Sequence, residues 1–338
     1  MFVVYFGGAF AFSLAVSALF VLLGGREGKY RDLFRRFGGV GIIAAFILGI
    51  LSADVLIKTP RVVAMLLGTF FILIFGVIDD IKNISWRWQL LFQVFLALTL
   101  IAFGCSIQYI SGPFGEMIRI DKYILILGDL SLNIISAALI TVWVISIINA
   151  VNWADGIDGL AGTISLFGCA ALVWVSLMEQ VNQPAIAIMG LIFAGSVIGF
   201  LWFNIPSAKI EAGSSGSYAI GFILASLAII AGTKIATAMI VLIVPLVDSL
   251  WVILERMRNK EQITKRDKRH LHYKLRARGW SDIKIVSVYS VFISLMLFLS
   301  ILAPTRILKL GTIVLEIVLI IGFIYYVSRS KSNKFLQN

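Results

Sequence analysis

Acidic and amide side chains are scarce in this chain, and they are bunched. Asp79 and Asp80 are adjacent in FGVIDDIKNIS (75–85), while Asn149, Asn152, Asp155 and Asp158 share NAVNWADGIDGLAGT (149–163). Neighbouring carboxylates repel each other, so a pair at the end of an apolar run suits a divalent cation or a proton. Alone, the pair reads equally as a solvated helix end. The second run says more. Spacings of three and four place Asn149, Asn152 and the 155/156 pair on one helical face, with no basic residue among them. Gly156, Gly159 and Gly162 allow the close backbone approach that phosphate-handling loops use. A third stretch, FNIPSAKIEAGSSGS (203–217), contains Asn204 and sets small residues before an apolar run. Backbone N–H groups there can face phosphate, and a flexible turn fits as well. The fourth stretch, 255–283, carries both histidines of the protein, His270 and His272, among Lys268, Arg269, Lys274, Arg276 and Arg278. Acidic loops and a cationic loop on one face would take a metal–nucleotide complex. A basic loop also serves to orient a membrane protein or to lie on anionic headgroups.

Those loops must be held by something, and the composition says what. Of 338 residues 60% are hydrophobic and only 14% charged, against about a quarter charged in soluble domains. The apolar residues form runs near 2–23, 38–57, 62–78, 89–107, 132–149, 160–178, 184–202, 217–232, 235–254, 284–302 and 308–328. About 20 residues span a bilayer, so eleven spans are expected. The net charge of +11 does not point to nucleic acid, because the basic residues collect in alternate loops. One set of loops carries 21 Lys and Arg residues and the other 7, which puts the amino terminus outside and the carboxyl terminus in the cytoplasm. All four polar stretches then fall on the cytoplasmic face. The first run follows Met1 with neither a basic lead nor a small-residue cleavage site, and reads as a retained span. Cys105 and Cys169 lie in or beside apolar runs and read as core side chains.

The expected fold is an all-α integral membrane protein of the cell membrane, one domain over 1–338. A small external β-hairpin is expected near 108–131, where Gly-Pro and Asp-Lys breaks divide short β-prone stretches. Asp248 and Glu316 are the ionisable exceptions within the spans, and Glu316 should face inward against a polar partner.

In order and content these stretches resemble the polyprenyl-phosphate N-acetylhexosamine-1-phosphate transferases. The resemblance runs from RRFGGVGI (35–42) through IDD, NAVNWADGIDGL and FNIPSAKI to VPLVDSLWVILERMR (244–258) and HLHY (270–273). The NxxNxxDGIDGL run is highly specific, and Asp248 falls within the family pattern. The resemblance implies transfer of a sugar 1-phosphate from a UDP-sugar, with N-acetylglucosamine as default, to polyprenyl phosphate with release of UMP. It implies Mg²⁺ (or Mn²⁺) near Asp79, Asp80 and Asp155, and puts Asn152, Asp155 and Asp158 at the nucleotide. Asn149, Asn204, Lys268, Arg269, His270 and His272 would bind substrate. Membrane lipid surrounds such an enzyme, and family members can form homodimers. Direct attack by the lipid phosphate and a transient aspartyl intermediate both remain open.

There are departures from the family pattern. Ser214 stands where the family carries a metal-binding aspartate, and Tyr30 and Tyr273 stand at positions where histidine is common. A hydroxyl is a poorer magnesium ligand than a carboxylate. Glu211, three residues earlier, is a candidate replacement. A weakened relative that binds without transferring, and a transporter, are the rival readings.

Overall fold

The computed structural model describes residues 2–25, 31–112, 116–120, 124–127, 130–232, 235–262, 269–303 and 305–329. Each of the eleven apolar runs is helical. They form α1 (Phe2–Gly24), α3 (Gly38–Leu51), α4 (Pro60–Lys82), α5 (Trp86–Ala102), α6 (Ile134–Ala154), α7 (Leu160–Leu177), α8 (Pro184–Asn204), α9 (Gly213–Ile230), α10 (Ile235–Arg258), α12 (Asp282–Leu302) and α13 (Arg306–Arg329). Two short helices, α2 (Arg31–Arg35) and α11 (Leu271–Ala277), lie between them. Among the described residues eight helices are long and apolar enough to cross a bilayer, namely α1, α4, α6, α7, α8, α9, α12 and α13. The helices α3 and α5 are apolar but shorter, and α10 carries Asp248, Glu255, Arg256 and Arg258 in its second half. This is a multi-pass membrane protein.

Local chemistry sets several helix ends. Proline opens α4 and α8, where its missing N–H costs nothing. Asn83 closes α4 in the left-handed region, at φ 49°. Because the helix runs that far, Asp79 and Asp80 lie within its last turn, whereas the sequence reading had them in the loop after residue 78. In place of the one hairpin expected near 108–131, the described residues form two antiparallel pairs. β1 (Tyr109–Ser111) pairs with β2 (Met117–Arg119), and β3 (Ile124–Leu127) pairs with β4 (Leu130–Asn133).

The centre of the bundle is α9, buried along nearly its whole length and packed against α3, α4, α6, α7 and α10. Its first turns are Gly and Ser, which lets neighbouring backbones come close, as small residues do between membrane helices. A methyl group on Gly39 of α3 would lie 2.1 Å from the backbone nitrogen of Gly216. The outer helices instead turn Val3, Leu22, Val291, Phe298, Val314 and Val318 outward, a surface that lipid and not water would cover. Glu316 is fully buried, yet neither of its oxygens has a hydrogen-bond partner among the described residues; the polar partner expected for it is not seen there. Cys105 and Cys169 are buried free thiols.

Candidate active site

All four polar stretches reach a single cavity of about 550 Å³. Asp79, Asp80, Asn152, Asp155, Asp158, Asn204, Glu211, Ser214 and His270 contribute to its wall, together with Arg36, Gln89, Tyr218, Arg256, Tyr273 and Arg276.

The carboxylates are not equivalent. Asp79 accepts hydrogen bonds from the Ile84 backbone N–H (2.7 Å) and from the Gln89 amide at 3.2 Å, and lies 3.5 Å from the Tyr218 hydroxyl. Asp80 sits at the start of α9, taking the N–H groups of Ser214 (2.6 Å) and Ser215 (3.2 Å) and the Ser215 hydroxyl (2.9 Å). It thus satisfies orphan donors at a helix N-terminus, where negative charge is also favoured. Gly213 holds φ at +66°, and a methyl group there would lie 2.7 Å from an Asp80 oxygen. That turn needs glycine for its backbone and for its space. Asp158 accepts the Ala208 N–H at 3.1 Å, and Asn204 ties the same two loops by accepting from Gly159 N and donating to the Ile210 carbonyl. Asn152 accepts from the Ser217 hydroxyl at 2.8 Å.

Asp155, at the end of α6, differs from all of these. Among the described residues nothing donates a hydrogen bond to its carboxylate. Burial raises its pKa well above the usual carboxylate range, and the like charges of Glu211, Asp80 and Asp158 push it the same way. Glu211 is ion-paired with Arg35 at 3.1 Å on the rim. An uncompensated carboxylate among other carboxylates is a place where a hard cation relieves repulsion. Among the described residues no three Asp, Glu, His or Cys side chains stand together as a ready-made metal cage. Magnesium does not require one, since it usually takes one or two carboxylates and completes its shell with water and substrate phosphate. The donor set therefore fits Mg²⁺ held by Asp155 together with a phosphate ligand.

The histidine segment closes the other side. His270 precedes α11, its Nδ1 3.0 Å from Asp248 Oδ2, and its ring stacks parallel to that of His272 at 5.8 Å. His272 lies beneath Gly156, where an added methyl group would stand 2.4 Å from the Tyr273 hydroxyl and 2.6 Å from His272 Nε2. The missing side chain at residue 156 is what lets the DGIDG loop and α11 meet. Burial, opposed in part by the Asp248 charge, lowers the His272 pKa from 6.5 to about 4. The folded protein thus keeps this ring neutral where an unfolded chain would protonate it. Its contribution to stability is complete above pH 6.5 and is lost as pH falls towards 4, about 3 kcal/mol in all. Thermal melts across that range should show the loss, and His272→Gln should shrink it; an unchanged acid profile in that variant would refute the assignment.

Sequence comparison gives this site a family. The model of glycosyl transferase family 4 matches residues 62–232, half of the chain and every polar stretch except the histidine loop. The chain belongs to glycosyl transferase family 4. Similar proteins include a probable undecaprenyl-phosphate N-acetylglucosaminyl 1-phosphate transferase of Bacillus subtilis, 28% identical over 76% of this chain and 70% of that protein. A decaprenyl-phosphate N-acetylglucosaminephosphotransferase of Mycobacterium leprae is 28% identical over 78% and 71%. A phospho-N-acetylmuramoyl-pentapeptide-transferase of Thermotoga maritima is 29% identical over 78% and 82%. This family member is accordingly an enzyme, a transferase embedded in the membrane.

Not every residue expected at the transferase site reaches it. Asn149 was expected to share a face with Asn152, but its amide pairs with Gln93 of α5, donating at 2.7 Å and accepting at 3.3 Å, away from the cavity. Arg269 does not line the cavity and is ion-paired with Glu261. His272 packs behind the wall rather than in it. Lys268 and Tyr30 lie outside the described residues. Conversely, Arg36, Gln89 and Tyr218 line the cavity without having been singled out, and Arg276 of the cationic loop lines it as well. Arg36, beside the Gly38–Gly39 pair, had a usable signal, since close packing there carries its neighbour to α9.

Proposed function

We propose that this transferase moves an N-acetylhexosamine 1-phosphate, by default N-acetylglucosamine 1-phosphate, from a UDP-sugar to a polyprenyl phosphate at the cavity described above. The observation that carries the reading is the unneutralised Asp155 set among Asp80, Asp158 and Glu211, with Arg36, Arg276 and His270 around the same space. The names of the relatives supply the chemical class: they act on undecaprenyl or decaprenyl phosphate or carry phospho-N-acetylmuramoyl-pentapeptide. The 21-to-7 bias of basic residues supports a cytoplasmic position for this cavity, in a chain read as a single membrane domain.

An oxygen of the lipid phosphate forms a bond to the sugar-linked phosphorus of the donor. The bond from that phosphorus to the bridging oxygen breaks, and UMP leaves with the electron pair. Polyprenyl phosphate is already anionic at neutral pH, so no base is needed to make the nucleophile. The work left to the protein is positioning and charge neutralisation. Arg36, Arg276 and His270 meet phosphate charge on the cavity wall. Asp80 keeps α9 in place so that Ser214 and Ser215 stay at the wall, and Asp158 and Asn204 lock the two nucleotide-side loops together. Asp155, with Glu211 beside it in place of a carboxylate at Ser214, would hold Mg²⁺. When bound, that ion neutralises diphosphate charge and stabilises the leaving group.

The purified protein, given radiolabelled UDP-N-acetylglucosamine, polyprenyl phosphate and Mg²⁺, should yield labelled lipid and UMP in equal amounts. Failure with every UDP-N-acetylhexosamine would overturn the reading. The neutral Ser214 favours one alternative, a relative that binds without transferring, and UDP-sugar binding with no product would identify it.

A further inference from the structure

Asp248 has no part in the chemistry described so far, yet its placement is demanding. It lies on α10 in the membrane-spanning bundle and is only 4% exposed. Its two oxygens serve two successive residues of another segment: Oδ2 meets His270 Nδ1 at 3.0 Å, and Oδ1 accepts the Leu271 N–H at 2.8 Å. α10 continues from Asp248 to Arg258, about 15 Å at the rise of an α-helix. The chain must therefore come back along α10 by that distance for His270 to meet Asp248. Backbone that returns so far into a membrane bundle needs internal hydrogen-bond partners, and Asp248 supplies one.

Anchoring alone does not call for a carboxylate. An asparagine amide could accept the Leu271 N–H just as well, and a buried carboxylate is costly unless a cation or a strong donor faces it. Among the described residues, His272 of α11 and Tyr289 of α12 are the other ionisable groups lining the small space beside Asp248. His272 is held neutral by burial, and a tyrosine contributes no positive charge. The pairing that explains a carboxylate is the one with His270. We propose that Asp248 is a positioning residue for His270, accepting a hydrogen bond from Nδ1–H and turning the opposite ring nitrogen to the cavity, where the doubly protonated ring donates Nε2–H to a phosphate oxygen. In the same way, a carboxylate behind an imidazole fixes tautomer and orientation in metal sites and catalytic triads. The phosphate contact rests on the transferase reading of the cavity; the tautomer does not.

Substituting Asn separates anchor from charge. In Asp248→Asn the amide oxygen still accepts from Leu271, but its NH₂ group faces Nδ1 as a donor. His270 must then carry its proton on Nε2 and lose the orienting charge. The protein has two histidines, so ¹⁵N-histidine labelling of the full chain gives two imidazole systems, and His272→Gln assigns them. The wild-type His270 spectrum should show a protonated Nδ1, and Asp248→Asn should show that nitrogen bare. The variant's kcat should fall by about ten- to a hundredfold with KM for the UDP-sugar changed less than about twofold, and Asp248→Glu should recover part of the rate. A bare Nδ1 in the wild type would overturn the proposal, as would an Asp248→Asn protein with wild-type tautomer and kcat. If Asp248→Asn does not fold, the wild-type spectrum still decides. If the chain transfers no sugar at all, the spectra still decide the tautomer, and the transferase reading fails separately.

Discussion

Replacing Asp155 with asparagine lowers transfer by about a thousandfold or more, yet raises the temperature at which the metal-free protein unfolds. The first effect is what removal of a main anchor for charge neutralisation gives in a reaction driven by electrostatics. The second runs against the usual outcome of mutating a site residue, and follows from the surroundings of Asp155 on the cavity wall. No group among the described residues donates to it, and burial together with Glu211, Asp80 and Asp158 raises its pKa. A group whose folded pKa is raised contributes stability at low pH and loses it as pH rises through that folded value. The advantage of Asp155→Asn should therefore grow with pH. Melts of the two metal-free proteins at several pH values, paired with product assays, check both halves. An Asp155→Asn protein that melts lower at neutral pH would show that the carboxylate has a partner after all.

Asp80→Ala behaves in the opposite manner: it loses activity because it loses structure. Three donors at the start of α9 are left without their acceptor, a loss of roughly 2–4 kcal/mol for charge-assisted bonds at a helix N-terminus. Since α9 is the central helix of the bundle, the damage reaches α3 and α4 through the contacts of Gly39 with Gly216 and of Gly76 with Ser215. Expected is a clear drop in melting temperature with or without Mg²⁺, and a fall in activity that lower assay temperature partly reverses. A protein as stable as wild type but inactive would move Asp80 from scaffold to chemistry.

This contrast marks the limit of what the sequence made legible. Apolar run lengths determine helices with little ambiguity, because lipid accepts few alternatives, and all the acidic stretches could be found as polar breaks between runs. What a linear pattern lacks is the identity of each donor. Asp80 is served by Ser214 and Ser215, Asp158 by Ala208, and Asn149 by Gln93, all far away in sequence. Helical periodicity correctly put Asn149 and Asn152 about one turn apart, but 60° of rotation separates them at 100° per residue. That is enough for one amide to meet α5 and the other the cavity. Arg36 was hidden because basic residues in loops between spans already have an explanation in orientation. The family pattern carried the reading of the DGIDG run further than spacing alone could, yet it put Asp79 and Asp80 at the metal alongside Asp155. Their environments separate them, since Asp79 and Asp80 have protein donors and Asp155 has none among the described residues.

Direct titration of Mn²⁺ by electron paramagnetic resonance, in the presence of UDP-sugar, tests the assignment of Asp155 most simply. The wild-type protein should bind one ion, Glu211→Gln should bind it several-fold more weakly, and Asp155→Asn should not bind it in the range where wild type saturates. Undiminished Mn²⁺ binding by Asp155→Asn would contradict the account.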